Sequence, residues 1–259
     1  MPSIRRSVVA AAVAACAIAP ASALGITTTG FPDNGLHPNV GAILTGGPGA
    51  YAEVCSATLV SPTIVVTASH CTSYLEADPA ADFVTFDPTD VEHAPADPIP
   101  ATPVTNPAYR SGYREDVSVM VLSRPVTGIT PASLPPLGWL DTLRLTRSTK
   151  FTTVGYGTQE QQNGGGPPVF PFTGDRGYGI GTFNALTPQW LKVSQNAAHG
   201  DSGACYGDSG GPTFLGAAPD DGDTVLAVTS TGDTPCYATN VSSRTDTPSA
   251  RAFLARFGL

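Results

Sequence analysis

A glycine-flanked serine, Ser209, is the residue whose surroundings best suit nucleophilic chemistry. It lies in the stretch Cys205-Tyr-Gly-Asp-Ser-Gly-Gly-Pro212, directly after an acid. Glycines let the backbone approach a ligand closely and adopt angles that other residues resist. A serine in such a turn can present its hydroxyl to a carbonyl carbon, while adjacent backbone N–H groups receive the developing negative charge. The stretch therefore predicts a nucleophile beside an oxyanion site.

The serine hydroxyl also needs a general base, and the base needs a group that holds its correct tautomer. His70 follows the apolar run Ile64–Thr67, and Asp116 opens a segment that alternates polar and apolar residues. Glu115 would point to the opposite face of such a strand, so Asp116 is the better candidate for orienting the histidine. His70, Asp116 and Ser209 are therefore the predicted catalytic residues.

Two other features compete with this interpretation of Ser209. Gly207–Gly211 also satisfies the Gly-x-Ser-x-Gly pattern of α/β-hydrolases, but that fold needs its histidine after the serine. All the histidines precede Ser209: His37, His70, His93 and His199. The segment Gly200–Ala204 repeats the start of the serine motif, but Ser202 has no cysteine four residues before it. Ser202 is therefore predicted to be a loop residue.

Four segments together resemble the trypsin/chymotrypsin family of serine proteases. They are the serine stretch, Ala68-Ser-His-Cys71, Asp116-Val-Ser-Val-Met-Val-Leu122 and Phe151-Thr-Thr-Val-Gly-Tyr-Gly157. The resemblance runs from about residue 26 to the end and is weakest over residues 76–110 and 158–200. It implies a serine endopeptidase that needs no metal or other cofactor and cleaves proteins or peptides.

The resemblance also assigns roles to the predicted residues. Ser209 would attack the carbonyl, His70 would act as base and then as acid, and Asp116 would orient His70. The backbone N–H groups of Gly207 and Ser209 would form the oxyanion hole. A newly freed amino group of Ile26 would pair with Asp208 and shape that hole, although Thr27-Thr-Thr29 departs from the Val-Gly-Gly of the family.

A pocket for the side chain before the cut is implied as well. The residues that would line it are Gly203, Ala204, Ser230, Thr231 and Gly232. No acid stands at the position of the pocket base, so a bound Lys or Arg would not be neutralised. We therefore expect an apolar or aromatic preference, unless a shifted loop brings Asp201 into the pocket.

The first 23 residues have the features of an export signal. Arg5 and Arg6 precede an apolar run, and Ala21-Ser-Ala23 offers a cleavage site. Cys16 could instead be a lipid-attachment cysteine. Removal of this leader leaves 11 basic and 21 acidic residues, a net charge of −10. Such a charge disfavours nucleic acid and anionic membranes as partners, and we expect a secreted monomer.

Four cysteines remain after the leader is removed: Cys55, Cys71, Cys205 and Cys236. An even number in an exported chain predicts disulfides, and residue types alone leave three pairings open. No Cys-x-x-Cys pair is present, which disfavours a zinc site. The family resemblance implies the pairs Cys55–Cys71 and Cys205–Cys236.

The composition favours an all-β fold, since glycine (28) and proline (25) are abundant and charged residues make up 13% of the chain. Short apolar runs are separated by turn signals, and a capped helix is predicted near the C-terminus from Pro248 to Phe257. The resemblance implies two six-stranded antiparallel Greek-key barrels, assigned to residues 24–124 and 125–259. The alternative to an enzyme is a catalytically silent protease fold that binds or adheres.

Overall fold

The structure, a computed structural model, describes residues 26–27 and 29–259. The leader predicted over residues 1–23 and the cysteine within it lie outside the described residues. The first regular element is a two-residue strand, β1 (Phe31–Pro32). None of the helices in the described ranges is long and apolar enough to cross a bilayer.

Six antiparallel strands form a first closed barrel in the order β2-β3-β4-β7-β6-β5. Their bounds are β2 (Val40–Thr45), β3 (Ala52–Ser61), β4 (Ile64–Thr67), β5 (Asp82–Thr85), β6 (Ile99–Val104) and β7 (Ser118–Leu122). Every residue of β4 is buried. Its sequence, Ile-Val-Val-Thr, is entirely β-branched, which suits a pleated surface packed on both faces.

A second closed barrel follows, in which β8 pairs with both β9 and β11. Its strands are β8 (Lys150–Gly155), β9 (Gly177–Leu186), β10 (Trp190–Ser194), β11 (Pro212–Leu215), β12 (Ala227–Gly232) and β13 (Thr239–Arg244). The order around this barrel is β8-β9-β10-β13-β12-β11. Its interior is filled by Phe151, Leu191 and Leu226.

Both barrels have the same strand order, in which the fourth strand returns to lie beside the first. This arrangement is the Greek key. The predicted all-β class, the two six-stranded barrels and the short C-terminal helix are confirmed.

Two α-helices flank the barrels. The first, α1 (Ser69–Ala77), follows β4 directly and was not predicted from the sequence. The second, α2 (Pro248–Leu254), begins as predicted: Thr247 caps it by accepting a hydrogen bond from the Ala250 N–H at 3.1 Å, and proline occupies its first position. A 3-10 turn, Ala255–Phe257, continues it.

The N-terminal end of the described chain packs on the second barrel, and the C-terminal end packs on the first. The early strand β1 pairs with β9 of the second barrel. Conversely, Phe253 and Leu254 of α2 belong to the hydrophobic cluster that fills the first barrel. The same cluster includes Val154, Tyr156 and Phe214 of the second barrel. The strands of the first barrel end at Leu122 and those of the second begin at Lys150, and packing joins the two parts.

Candidate active site

His70 contacts Asp116 through two atoms. Its backbone N–H donates to Asp116 Oδ1 at 2.8 Å, and its ring Nδ1 lies 2.9 Å from Asp116 Oδ2. Asp116 is fully buried. Because an ionised carboxylate can only accept hydrogen bonds, Nδ1 carries the proton in this pair and Nε2 is left as the acceptor. The arrangement suits a histidine that takes a proton through Nε2.

Two further residues contact the pair in ways that the sequence did not predict. Ser230, expected as a pocket residue, also donates its hydroxyl to Asp116 Oδ2. Tyr113, which the sequence analysis did not single out, places its ring edge-on to His70 with centroids 5.3 Å apart. Tyr113 has a φ of 58°, which is uncommon outside glycine. No motif in the sequence marks it, because a loop and not a strand brings it to the histidine.

Ser209 and His70 line one cleft of about 330 Å³ between the barrels. Between these two described side chains there is no hydrogen bond from the Ser209 hydroxyl to the ring. Hydrogen bonds between catalytic groups often tighten only when substrate binds, so the geometry is compatible with proton transfer. The three predicted residues are therefore close together, with Asp116 behind His70 and Ser209 across the cleft.

The serine loop crosses the first barrel at very close range. Ser56 of β3 donates its backbone N–H to the carbonyl of Ser209 at 2.8 Å. Gly210, with a φ of 80°, lies against Ser56 and Thr67, and a Cβ there would collide with both. Only glycine combines this backbone angle with this contact, which explains the residue after the serine.

The backbone around Ser209 leaves two amides free for an oxyanion. The carbonyl of Tyr206 accepts a hydrogen bond from Thr158 N–H at 2.6 Å, and the carbonyl of Asp208 accepts one from Gly211 N–H at 3.0 Å. In a trans peptide the N–H points opposite to the C=O. The amides of Gly207 and Ser209 therefore point away from those donors, and neither donates to an acceptor in the described part of the chain. Both predicted oxyanion donors are available.

The pocket walls are close to those predicted from the sequence, with one exception. The predicted residues that line the cleft are Ala204, Ser230, Thr231 and Gly232. Gly203 lies outside it: its N–H donates to Thr27 Oγ1 and its carbonyl accepts from Thr27 N–H, both at 3.0 Å. Gly203 therefore docks the N-terminal segment instead of contacting the cleft.

Two polar residues that the sequence analysis did not assign to the pocket also line the cleft. Asn240 of β13 is almost fully buried, and its amide nitrogen lies 3.4 Å from Ser242 Oγ. Asp233 accepts hydrogen bonds from the N–H groups of Tyr237, Ala238 and Thr239. Although partial burial opposes it, these bonds lower the pKa of Asp233. Since Asn240 is buried, the sequence Asn240-Val-Ser242 does not present an accessible glycosylation site.

Comparison with protein families agrees with this geometry. The family model described as Trypsin matches residues 32–252, most of the chain. The chain belongs to the trypsin family. No curated protein matches it in a sequence search. Family membership supports a serine-type peptidase.

The trypsin-family disulfides have the pairing that the resemblance implied. Cys55 is bonded to Cys71 and Cys205 to Cys236. The first bond attaches α1, next to His70, to β3. The second joins the serine loop to the segment after β12, so that Cys205 and Cys236 both line the cleft.

The serine of the repeated motif has a different environment. Ser202 is buried, and its hydroxyl accepts a hydrogen bond from Ile180 N–H at 2.8 Å. Its neighbour Asp201 is also buried and contacts Thr182 Oγ1 at 2.8 Å and Lys150 Nζ at 3.3 Å. Neither residue lines the cleft that contains Ser209. Ser202 is thus a structural residue, and the shifted position considered for Asp201 is not observed.

Asp208, directly before the serine, is buried without a cationic partner in the described residues. Its carboxylate accepts hydrogen bonds from Gly157 N–H at 2.9 Å and Cys205 N–H at 2.8 Å. Burial raises the pKa of Asp208 well above its usual value, although the backbone hydrogen bonds oppose this. Burial likewise raises the pKa of Glu53, with further contributions from Asp208 and Glu92. The loop that carries the serine is therefore built on an acid that lacks a counter-charge.

Proposed function

We propose that this chain is a secreted serine endopeptidase that cleaves peptide bonds through Ser209, His70 and Asp116. The observation that carries the proposal is that His70 contacts the buried Asp116 and lines the same cleft as the glycine-flanked Ser209. The predicted leader and the two disulfides support export. Its partners are then proteins or peptides, and the monomer acts without nucleic acid, membrane or cofactor.

The proposed reaction proceeds through an acyl-enzyme. Ser209 Oγ attacks the carbonyl carbon as its proton passes to His70 Nε2, and the buried carboxylate of Asp116 stabilises the resulting imidazolium. The oxyanion is bound by the amides of Gly207 and Ser209. His70 then gives its proton to the leaving amine as the C–N bond breaks. Water activated by His70 hydrolyses the ester and restores Ser209.

For the side chain before the cut, we propose an apolar or aromatic preference over Lys or Arg. Asp201 is committed to Lys150 and Thr182, and the carboxylate of Asp233 already accepts three backbone hydrogen bonds. Asp201 is therefore already neutralised, and the negative charge of Asp233 is shared with three amide donors. Asn240 adds a neutral group to the pocket wall.

A catalytically silent protease fold is the second candidate. Two observations favour it: Ser209 and His70 are not hydrogen-bonded to each other, and Asp208 lacks a counter-charge among the described residues. A silent protein would keep the fold and the cleft but would not activate the serine.

Labelling by a fluorophosphonate, followed by peptide mapping, separates the two candidates. The proposed enzyme attaches the probe covalently to Ser209, because only an activated serine attacks phosphorus at neutral pH. Ser209→Ala should abolish labelling and reduce peptide hydrolysis by several orders of magnitude.

Ser202→Ala is the matched control, since Ser202 shares the Gly-Asp-Ser-Gly sequence. It should leave labelling intact while lowering the melting temperature through the lost hydrogen bond to Ile180. A folded wild-type protein that is not labelled, or a label mapped to Ser202, would refute the proposed mechanism.

A further inference from the structure

Ser56 connects both barrels to the serine loop through its hydroxyl. It lies in β3 and is fully buried. Its Oγ accepts a hydrogen bond from Tyr156 N–H at 3.1 Å and donates to the carbonyl of Gly207 at 3.2 Å. One hydroxyl therefore satisfies an amide just beyond the end of β8 and a carbonyl of the oxyanion loop at the same time.

The carbonyl that Ser56 holds belongs to the peptide between the two oxyanion donors. The Gly207 amide belongs to peptide 206–207, which is fixed by the hydrogen bond from Thr158 to Tyr206. The Ser209 amide belongs to peptide 208–209, which is fixed by the bond from Gly211 to Asp208. Peptide 207–208 lies between them and sets their relative direction. Its carbonyl is the acceptor for Ser56.

The N–H of this middle peptide donates to the carbonyl of Cys205 at 3.2 Å within the same loop, and Ser56 supplies the constraint from outside the loop. Gly207 has a φ of 94°, and glycine has no Cβ to restrict its rotation. Without Ser56, only the hydrogen bond to Cys205 would hold peptide 207–208, and a small rotation about Gly207 would change the angle between the two oxyanion amides. Two donors contribute fully only when both are preorganised toward the oxygen on which charge develops.

We propose that Ser56 is a positioning residue whose hydroxyl aligns the two amides of the oxyanion hole. The inference rests on the proposed peptidase function and goes beyond it, since Ser56 does not line the cleft and does not touch the substrate. It acts through Gly207. Its effect is therefore confined to the transition state, in which the oxygen becomes an anion.

Ser56→Ala tests this role. Steady-state kinetics with a peptide substrate should show kcat reduced about tenfold with KM unchanged, a smaller loss than the 10²–10³ typical for a missing oxyanion donor. A peptide aldehyde, which forms a tetrahedral adduct with the serine, should lose affinity by a similar factor. The corresponding peptide acid, a product without that adduct, should bind as before.

Thr58→Val is the matched control. Thr58 lies two residues further along the same strand, is equally buried, and its hydroxyl has no hydrogen-bond partner in the described part of the chain. The variant removes a buried hydroxyl from β3 without touching the loop, so kcat and aldehyde affinity should stay at the wild-type level. If Ser56→Ala does not fold, Ser56→Gly removes the same hydroxyl.

The outcomes separate this inference from the proposed function. A labelled, active wild-type protein with an unchanged kcat in the folded Ser56 variant overturns the role of Ser56 alone. Equal losses in the Ser56 and Thr58 variants, or a loss confined to KM, overturn it as well, because they indicate general packing. An inert wild-type protein overturns the proposed function and this inference with it.

Discussion

Three acids around the serine loop differ in what their carboxylates contact. Asp201 is paired with Lys150, Asp208 accepts only backbone amides, and Asp233 accepts three amides at the rim of the cleft. Residue type alone would make each of them a candidate for binding a basic substrate. Asp201 is already paired with a cation, whereas Asp208 and Asp233 are held by backbone amides alone.

A single substitution at Asn240 should therefore change the substrate preference. In the wild-type protein, peptides with Phe or Leu before the cut should be cleaved faster than those with Arg. Asn240→Asp places an unpaired carboxylate in the pocket wall, and we expect the ratio of kcat/KM for Arg over Phe to rise by about tenfold. A panel of peptides that differ only at this position measures it.

Asp201→Asn serves as the control for this experiment. It removes an acid that pairs with Lys150 and does not line the cleft. The preference should not change, although the protein should be less stable. Strong cleavage after Arg by the wild-type protein would contradict the proposed specificity.

The sequence identified residues whose neighbours along the chain are distinctive. Ser209 and His70 stand in motifs, and Asp116 precedes an alternating run that becomes β7, so the sequence singles out all three as candidates. Ser56, Tyr113 and Asn240 could not, because their importance comes from contacts between segments far apart in sequence. Gly203 was assigned to the pocket by the family resemblance, whereas the structure has it hydrogen-bonded to Thr27 and outside the cleft, a contact that the sequence does not reveal.

At the level of elements, strands with strong β-propensity were predicted well. The bounds of β4 match the apolar run Ile64–Thr67. The strand β6 was missed because its sequence, Ile-Pro-Ala-Thr-Pro-Val, contains two prolines, which ordinarily argue against a strand. The strand β13, Thr-Asn-Val-Ser-Ser-Arg, was missed because it is polar. Its polar side chains are buried because they form hydrogen bonds inside the barrel, such as that between Ser242 and Thr213, and a hydrophobic pattern in the sequence cannot reveal such bonds.

The N-terminal segment packs just upstream of the serine loop. Ile26 is fully buried, and Thr27 forms two hydrogen bonds with Gly203, which lies five residues before Asp208. A buried carboxylate without a counter-charge is costly. An amino group freed at Ile26 and paired with Asp208 would supply the missing positive charge.

We therefore expect a chain that begins at Ile26 to be more active and more stable than one that begins at Gly25 or Leu24. Ionic pairing of Asp208 would stabilise the loop that carries Ser209, so kcat and the melting temperature should rise together. Mass spectrometry of the mature N-terminus, combined with assays of the three defined chains, measures the effect. Full activity of a chain that begins at Leu24 would exclude this activation route.

Across the whole molecule, a buried network of charged residues joins the two barrels. Asp33 binds His37 Nδ1 at 2.5 Å and Arg176 Nε at 2.9 Å. His37 Nε2 lies 3.1 Å from Asp221 in the loop after β11. Arg176 also donates to the carbonyls of Val40 and Phe86 in the first barrel. The network therefore holds the N-terminal segment, the second barrel and the first barrel together.

The protonation of His37 should make the stability of this assembly dependent on pH. Burial alone would lower the pKa of His37, but the hydrogen bonds to Asp221 and Asp33 outweigh it and raise the pKa to about 9. In the unfolded chain the pKa is about 6.5. Because the folded state binds the proton more tightly, the contribution is complete below pH 6.5, declines from there, and is lost above pH 9. It amounts to about 3 kcal/mol at most.

Replacement of His37 isolates this effect. His37→Gln removes the titrating group, so its free energy of unfolding should lie below that of the wild type at pH 6 and approach it by pH 10. His93→Gln is the matched control, because His93 also contacts an aspartate, Asp90 at 2.6 Å, but both side chains are exposed. Exposed ion pairs contribute little, typically below about 1 kcal/mol, so this variant should follow the wild-type curve. Urea unfolding from pH 6 to 10 measures all three proteins, and a constant difference between wild type and His37→Gln would show that His37 acts by packing against Phe214 and not through its charge.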